Sequence, residues 1–528
     1  MLHSLSCRGG MVTAPHHLAA QAGAAVLRDG GNAVEAMVAA AATIAVVYPH
    51  MNGIGGDGFW LIHAPGMAEP VAVRACGSAA QAADAAFYRA HGDAAIPTRG
   101  PRAALTVAGA VGGWAEALAV ARPWGTPLPL PHLLADATRH AREGVPVTGS
   151  QVGLTQAKWG ELADVPGFAE AFAAHGVPRV GDTLRQPRIA ATLDRLAHAG
   201  LDDFYRGDLA QSMARDLQAV GSPLALTDLN GWRAQPVAPL SVRLSAGRVF
   251  NQPPPTQGVS SLAILGLFDR LGVSQAEGFA HVHGVVEATK RAFAWRNRYV
   301  GDPAAMQADP AAFLQPGALE AEAAHIDAQR AAPWPEPTAP GDTVWLGAAD
   351  AQGRVVSYIQ SVYWEFGSGV VLPESGVQWQ NRGASFTLDA GPNQLAPGRL
   401  PFHTLNPALA LLDDGRVLAY GTMGGEGQPQ TQAAFFTRHV LFGQDMQAAI
   451  TAPRWLLGRT WGDQSTNLKL ESRFDPALVQ ALRSAGHDVQ VVGAFEDMMG
   501  HAGAVAVHPD GRIEGATDPR ADGICASV

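Results

Sequence analysis

The chain has 528 residues, 47% hydrophobic and 16% charged, so it can bury a large core and global disorder is excluded. Its 37 Lys and Arg against 47 Asp and Glu give a formal charge of −10, which offers no basic footprint for nucleic acid. The cysteines Cys7, Cys76 and Cys525 are odd in number and widely spaced, which excludes a disulfide framework or zinc ribbon and fits a reducing compartment.

The first ten residues lack a basic stretch followed by an apolar core, so no secretion signal is read there. Thr13-Ala14-Pro15 opens an alanine-rich helix that Gly30-Gly31-Asn32 stops. Ala33 to Val47 predicts a second helix, apolar on every side and therefore sandwiched between layers. The longest apolar run, Ala36 to Tyr48, is too short to cross a bilayer. The expectation is a soluble cytoplasmic protein with neither membrane nor nucleic acid as a partner. Asn52 to Gly58 is glycine-rich and leads into a strand from Phe59 to His63. A helix before it and a strand after it reverse the order of a dinucleotide fingerprint, so this run reads as a tight backbone turn. Helices and loops are expected to alternate from Gln81 to Arg330. Within that region His283 and Glu287 share a helix face and, with His281, could ligate a metal. A polar helix surface is the plainer reading, and no metal is assigned.

Ala331 to Asp342 carries four prolines, which suit neither helix nor strand. The texture changes at Thr343. Val344 to Ala349 and Arg354 to Tyr363 read as a hairpin, and similar pairs flank Asp414-Gly415 and Asp510-Gly511. A helix-rich first part, a Pro-rich junction and a β-rich second part predict helices on sheets with antiparallel pairing. No fixed-period repeat and no Gly-x-Ser-x-Gly elbow is present.

The junction carries chemistry. If the chain is cut before Thr343, that residue bears a hydroxyl and a free α-amine whose ordinary pKa of about 7.7–8.0 makes it a base near neutrality. Nucleophile and general base then reside in one residue. Gly421 to Gly427 follows a predicted strand, and its paired glycines let backbone N–H groups converge on an oxyanion. Arg74 and Arg382 stand among apolar or small residues and are candidates for bidentate carboxylate binding.

Gly10 to His16, Gly30 to Ala36, Pro49 to Gly58, Pro253 to Gly258, Gly301 to Pro303, Phe366 to Gly369, Gly424-Gly425 and Asp518 to Gly523 follow one another in an order that resembles the γ-glutamyltransferase family of N-terminal-nucleophile hydrolases. The resemblance implies a four-layer αββα sandwich, class α+β, made as a precursor that cuts itself between Asp342 and Thr343. The products, a large chain 1–342 and a small chain 343–528, stay associated, which leaves room for a homodimer of processed heterodimers. It implies Thr343 as nucleophile, Gly424 and Gly425 as oxyanion donors, Ser361 in place of an assisting Thr, and Arg74 as the anchor of the substrate carboxylate. No metal or organic cofactor is implied.

The departures bear on the substrate. Where family transferases hold a glutamyl α-ammonium with Asn, Gln or Glu, and Asp, this chain has Tyr363, Arg382 and Ser385. A Ser-Ser pair is replaced by His403-Thr404, and the Thr and His after the nucleophile by Val344 and Trp345. A cation has replaced acceptors for a cation, so the pocket should favour a small amide that bears a carboxylate but no α-amine. Gly341 to Trp345, Trp379 to Gly383 and Pro401 to Pro407 are similar to a branch of the family that hydrolyses oxamate to oxalate and ammonia in purine-nitrogen catabolism. Oxamate carries its carboxylate directly on the scissile carbonyl, whereas a glutamyl amide carries it three carbons away. Arg382, with His403, is therefore expected to make the closer contact in oxamate binding. The rival readings are hydrolysis of glutathione or another γ-glutamyl amide, acylase action on a larger carboxyl-bearing amide, and an anion-binding protein that does not cut itself.

Overall fold

The computed structural model describes residues 3–334, 342–458 and 466–528. The prolines of the junction beyond Trp334 lie outside the described residues, as does Gly341. Fourteen strands build the centre. In chain order they are β1 (Leu5–Cys7), β2 (Gly10–Ala14), β3 (Asp57–His63), β4 (Val71–Ala75), β5 (Gln235–Val237), β6 (Leu240–Leu244), β7 (Gly247–Asn251), β8 (Asp342–Asp350), β9 (Val355–Tyr363), β10 (Ala408–Leu412), β11 (Val417–Thr422), β12 (Ala502–Val507), β13 (Ile513–Thr517) and β14 (Ile524–Ser527). They form two seven-stranded sheets, ordered β14-β2-β8-β9-β3-β4-β5 and β1-β13-β12-β11-β10-β7-β6. Every neighbouring pair is antiparallel.

Three apolar layers follow from the period-two alternation of these strands. Phe59, Leu61, Trp345 and Ile359 of the first sheet meet Phe250, Leu409, Ala419 and Val505 of the second. Trp60, Ile62, Leu346 and Tyr358 point the other way, against α1 (His17–Arg28), α2 (Ala33–Val47) and α3 (Ala110–Ala121). The second sheet is covered by α4 (Gly258–Asp269), α5 (Phe279–Tyr299) and α6 (Gln428–Phe436). This is the expected αββα sandwich. Every residue of α2 is buried, and Asn32 and Glu35 close its N-terminus in a capping box.

Two expectations need correction. Thr13 and Ala14 do not open a helix; they end a fully buried strand, and α1 begins at His17 with the His16 ring capping the Leu18 N–H. The strand Gly10–Ala14 goes unread because its small and apolar residues lack alternation, being buried throughout. The stretch from Gln81 to Arg330 also contains β5, β6 and β7, which short polar breaks disguise. Among the described residues no helix is long and apolar enough to cross a membrane.

Trp345 shows how sequence sets the spacing between the sheets. Its indole lies where a Cβ on Gly421, Gly503 or Gly347 would come within 2.2, 2.5 or 2.6 Å of it. Its Nε1 donates to Ser357 Oγ at 3.0 Å. Three glycines on three strands make the room that this large side chain occupies.

Candidate active site

The ladder registers place one row of residues at the end of the first sheet. Asp342 pairs with Tyr363 and Val344 with Gln360, so Thr343 sits at a β-bulge opposite Ser361 and Val362. Ser361 pairs with Asp57, and Gly58 pairs with Ala75, which sets Cys76 beside Asp57. Alternation turns Ser361, Asp57 and Cys76 to the same inner face as Trp345, Ile359 and Phe59. Thr343, Ser361, Asp57 and Cys76 thus form a buried row across four strands.

Thr343 Oγ receives a long contact of 3.5 Å from Gln428 Nε2. The orientation of that amide is fixed because Gln428 Oε1 accepts from Asn406 Nδ2 at 3.0 Å. Asn406 Oδ1 in turn accepts from Ser261 Oγ at 2.7 Å. Ser361 Oγ accepts the Tyr363 N–H at 2.7 Å, which steadies Tyr363 at φ +84°, a conformation that bulky side chains rarely adopt.

Gly424 and Gly425 adopt φ of +113° and +52°, which explains glycine at both positions. Gln257 Nε2 donates to the carbonyl of Gly425 at 2.8 Å and to that of Thr404 at 2.7 Å. Gln257 Oε1 accepts from Arg296 Nη1 at 2.8 Å, and Arg296 is also paired with Glu426. The turn is held from behind, and among the described residues neither the Gly424 nor the Gly425 N–H has an acceptor. Such a pair of donors suits an oxyanion.

Arg382 is buried, and its guanidinium stacks 3.7 Å from the Tyr363 ring centroid. Its only described hydrogen bonds are long, 3.4 and 3.5 Å from Nη1 and Nη2 to Thr404 Oγ, and its Nε has no partner among the described residues. Burial pulls its pKa down to about 10, so it stays charged at neutrality. A buried guanidinium with open donors, stacked on the ladder partner of Asp342, has the chemistry to receive a carboxylate.

The other anticipated residues divide. Thr404 joins Arg382, but Ser385 donates to the Phe402 carbonyl at 2.9 Å. Both ring nitrogens of His403 are engaged within the protein: its Nε2 meets Asp57 Oδ2 at 3.0 Å and its Nδ1 accepts from the Leu405 N–H at 3.4 Å. Burial and Arg382 hold the imidazole well below its ordinary pKa, so it is neutral and its Nε2–H donates to Asp57. Arg74 is not brought beside Thr343. It lies on β4, three strands across, or about 14 Å at the usual strand spacing. There it donates to Gln235 Oε1 at 2.7 Å and lines a polar cavity of about 350 Å³ with Cys76 and Arg233.

Asp57, Gln257, Asn406 and Gln428 were missed as site residues. Each stands in or beside a string already singled out in the sequence, but only the fold shows what it touches. His281, His283 and Glu287 are all buried rather than on a polar helix surface, and among the described residues His283 and Glu287 gather with His487, one ligand atom of each within 4.8 Å of the others, while His281 stands apart. His281 turns to Thr437 Oγ at 2.8 Å, while His283 meets His487 at 2.8 Å. Glu287 takes the Lys290 ammonium at 2.6 Å, and both bind the backbone of Ala332.

The two-sheet sandwich with this row at its end defines an N-terminal-nucleophile hydrolase fold. The pattern of the family described as Gamma-glutamyltranspeptidase matches residues 19–528, and the chain belongs to that family. It is 54% identical over 522 residues to the oxamate amidohydrolase proenzyme of Klebsiella pneumoniae subsp. pneumoniae, covering 98% of each chain. It is 38% identical over 522 residues to the glutathione hydrolase-like YwrD proenzyme of Bacillus subtilis, again covering 98% of each. Among solved structures, a cephalosporin acylase from Bacillus halodurans superposes with a TM-score of 0.92 at 34% identity, covering 100% of this chain and 97% of that one.

Proposed function

We propose that this chain is an amidohydrolase that cuts itself between Asp342 and Thr343 and then hydrolyses oxamate to oxalate and ammonia. The carrying observation is Arg382, a buried cation with unfilled donors where an ammonium-binding site would need acceptors. The likeness to an oxamate amidohydrolase proenzyme supports the same reading. The nearest acid, Asp57, already accepts from Gly77, Gly109, Gln380 and His403, so it is not an open acceptor for an ammonium.

Thr343 Oγ attacks the amide carbon while the Thr343 α-amine takes the hydroxyl proton. The Gly424 and Gly425 N–H groups receive the oxyanion, and Arg382 with Thr404 holds the adjacent carboxylate. The α-ammonium returns its proton to the leaving nitrogen, ammonia departs, and water attacks the oxalyl ester under the same base. Tyr363 and Ser361 position Arg382 and the strand end. Segments 1–342 and 343–528 remain interleaved, because each sheet takes strands from both. A cytoplasmic location belongs to the proposal, supported by three free cysteines. So do a role in purine-nitrogen breakdown and a homodimer of processed heterodimers.

The test is ammonia release from oxamate by the purified protein, with glutamate release from glutathione in parallel and mass spectrometry of the fragments. Ammonia, a new N-terminus at Thr343 and no glutamate are expected. Glutamate without ammonia refutes the substrate, and turnover by an uncut chain refutes the mechanism.

A further inference from the structure

Asp57 is a buried acid that the reaction above leaves unused. Its Oδ1 accepts three N–H groups, from Gly77, Gly109 and Gln380, each at 3.1 Å. Its Oδ2 faces His403, and the next residue along, Thr404, receives both Nη groups of Arg382. Asp57 also neighbours Ser361 in the ladder, within the row that begins at Thr343. A carboxylate seated on Arg382 therefore brings a second anion to a cation whose charge already acts on Asp57, among buried side chains. Like charges so placed resist joint ionisation.

On the reading that Arg382 seats the substrate carboxylate, we propose that the Asp57–His403 pair couples anion binding to proton uptake: the carboxylate enters together with one proton, which the pair accepts. Before binding, Arg382 balances Asp57; afterwards it balances the ligand, and the added proton discharges the pair. No covalent bond changes.

The surrounding groups leave this role to the pair. Arg382 is cationic throughout. The Cys76 thiol and the Tyr205 and Tyr358 hydroxyls, which also sense Asp57, are pushed upward by burial and stay neutral. Arg74 acts on Cys76 and is not among the charges that act on Asp57. Burial outweighs Arg382, Gln380 and the two backbone donors and brings Asp57 to about 7, within the working range. The one other group on the row that titrates there is the α-amine of a cut Thr343, so the test must subtract it.

Calorimetric titration of the processed protein with oxalate near pH 7.5, in phosphate and in Tris, reads the protons bound per ligand. Native protein is expected to take up more than Asp57→Asn, whose remaining uptake reports the α-amine. The oxalate inhibition constant should weaken with a limit of about tenfold per pH unit above 7 from the pair, and Asp57→Asn should flatten that rise. Equal uptake and parallel pH profiles in the two proteins overturn the inference. Should Asp57→Asn fail to mature, the difference infrared spectrum of native protein with isotopically labelled oxalate decides. Loss of an ionised carboxylate or gain of an imidazolium supports the coupling, and neither change overturns it. Failure of the two readings is distinguishable. Oxamate turnover without differential uptake sinks only the coupling, whereas oxalate bound with uptake but no ammonia from oxamate sinks only the substrate.

Discussion

Arg382 is the residue whose replacement bears hardest on the substrate. A carboxylate bridging Nη1 and Nη2 gains two charge-assisted hydrogen bonds of about 1.5–3 kcal/mol each. Arg382→Lys keeps the charge but replaces the fork with a single point donor. Loss of one bond lowers kcat/KM for oxamate by about 10- to 150-fold. Arg382→Gln loses the charge and both bonds, about 3–6 kcal/mol, or a factor on the order of 10² to 10⁴. Ammonia release gives the kinetics, and a denaturing gel confirms that each variant is cut. Arg74→Gln is the control: three strands away, it should cost less than about tenfold. A cut Arg382→Gln with kcat/KM within threefold of native, or a greater loss from Arg74→Gln, refutes the assignment.

Thr343→Ala should give an uncut chain without activity, seen as one band on a denaturing gel; turnover by that variant rejects the mechanism. Gln428→Leu removes the oriented donor to Thr343 Oγ, worth about 0.5–1.5 kcal/mol, so kcat should fall roughly 3- to 10-fold with KM little changed; an unaltered kcat removes Gln428 from the site. Gly421→Ala places a Cβ 2.2 Å from the Trp345 ring and should destabilise by about 1–3 kcal/mol, read as a lower denaturant midpoint; an unchanged midpoint shows that the glycine does not serve Trp345. Burial lowers the pKa of His16, His281 and His487 to about 3, so between about pH 6.5 and 3 the unfolded chain binds protons that the folded one refuses. Stability should therefore fall as pH drops through that window. Asp57, raised to about 7, acts in the opposite sense, as do the raised Asp216 and Asp522, but His50, His63, His140, His403, His439 and His508 are lowered as well, so the lowered histidines outnumber the raised acids. Equal denaturant midpoints at pH 7 and pH 5 would contradict this balance.

The hairpins of the second part were legible because Asp-Gly turns interrupt clean apolar runs, as at Asp414-Gly415 between β10 and β11. The helix α2 was legible from its unbroken apolar run. Strand β2 was not, because a strand covered on both faces loses the alternation that marks an exposed one. In the candidate site, Thr343 and the glycine pair stood out through their chemistry together with the family resemblance. Asp57 did not: a lone acid within a glycine run reads as a turn residue until the fold lays it beside Ser361 and under His403. The partners of His403 were hidden for a like reason, since only the fold shows that both its ring nitrogens are engaged within the protein.

On the proposed reading of Arg382, the distance between two arginines makes this fold a measure of acyl length. Both candidates face a row anchored at Thr343, but Arg74 lies three strands out while Arg382 stacks on Tyr363, the ladder partner of Asp342. A carboxylate separated from its amide by several carbons can reach toward β4; one joined directly to the scissile carbonyl cannot. On that reading, a cation placed inward suits a shorter acid without a change to the proposed nucleophile or oxyanion turn. That placement also ties the cation to Asp57 through Thr404 and His403, so the residue proposed to select the short acid and the pair proposed to take up its proton belong to one connected cluster.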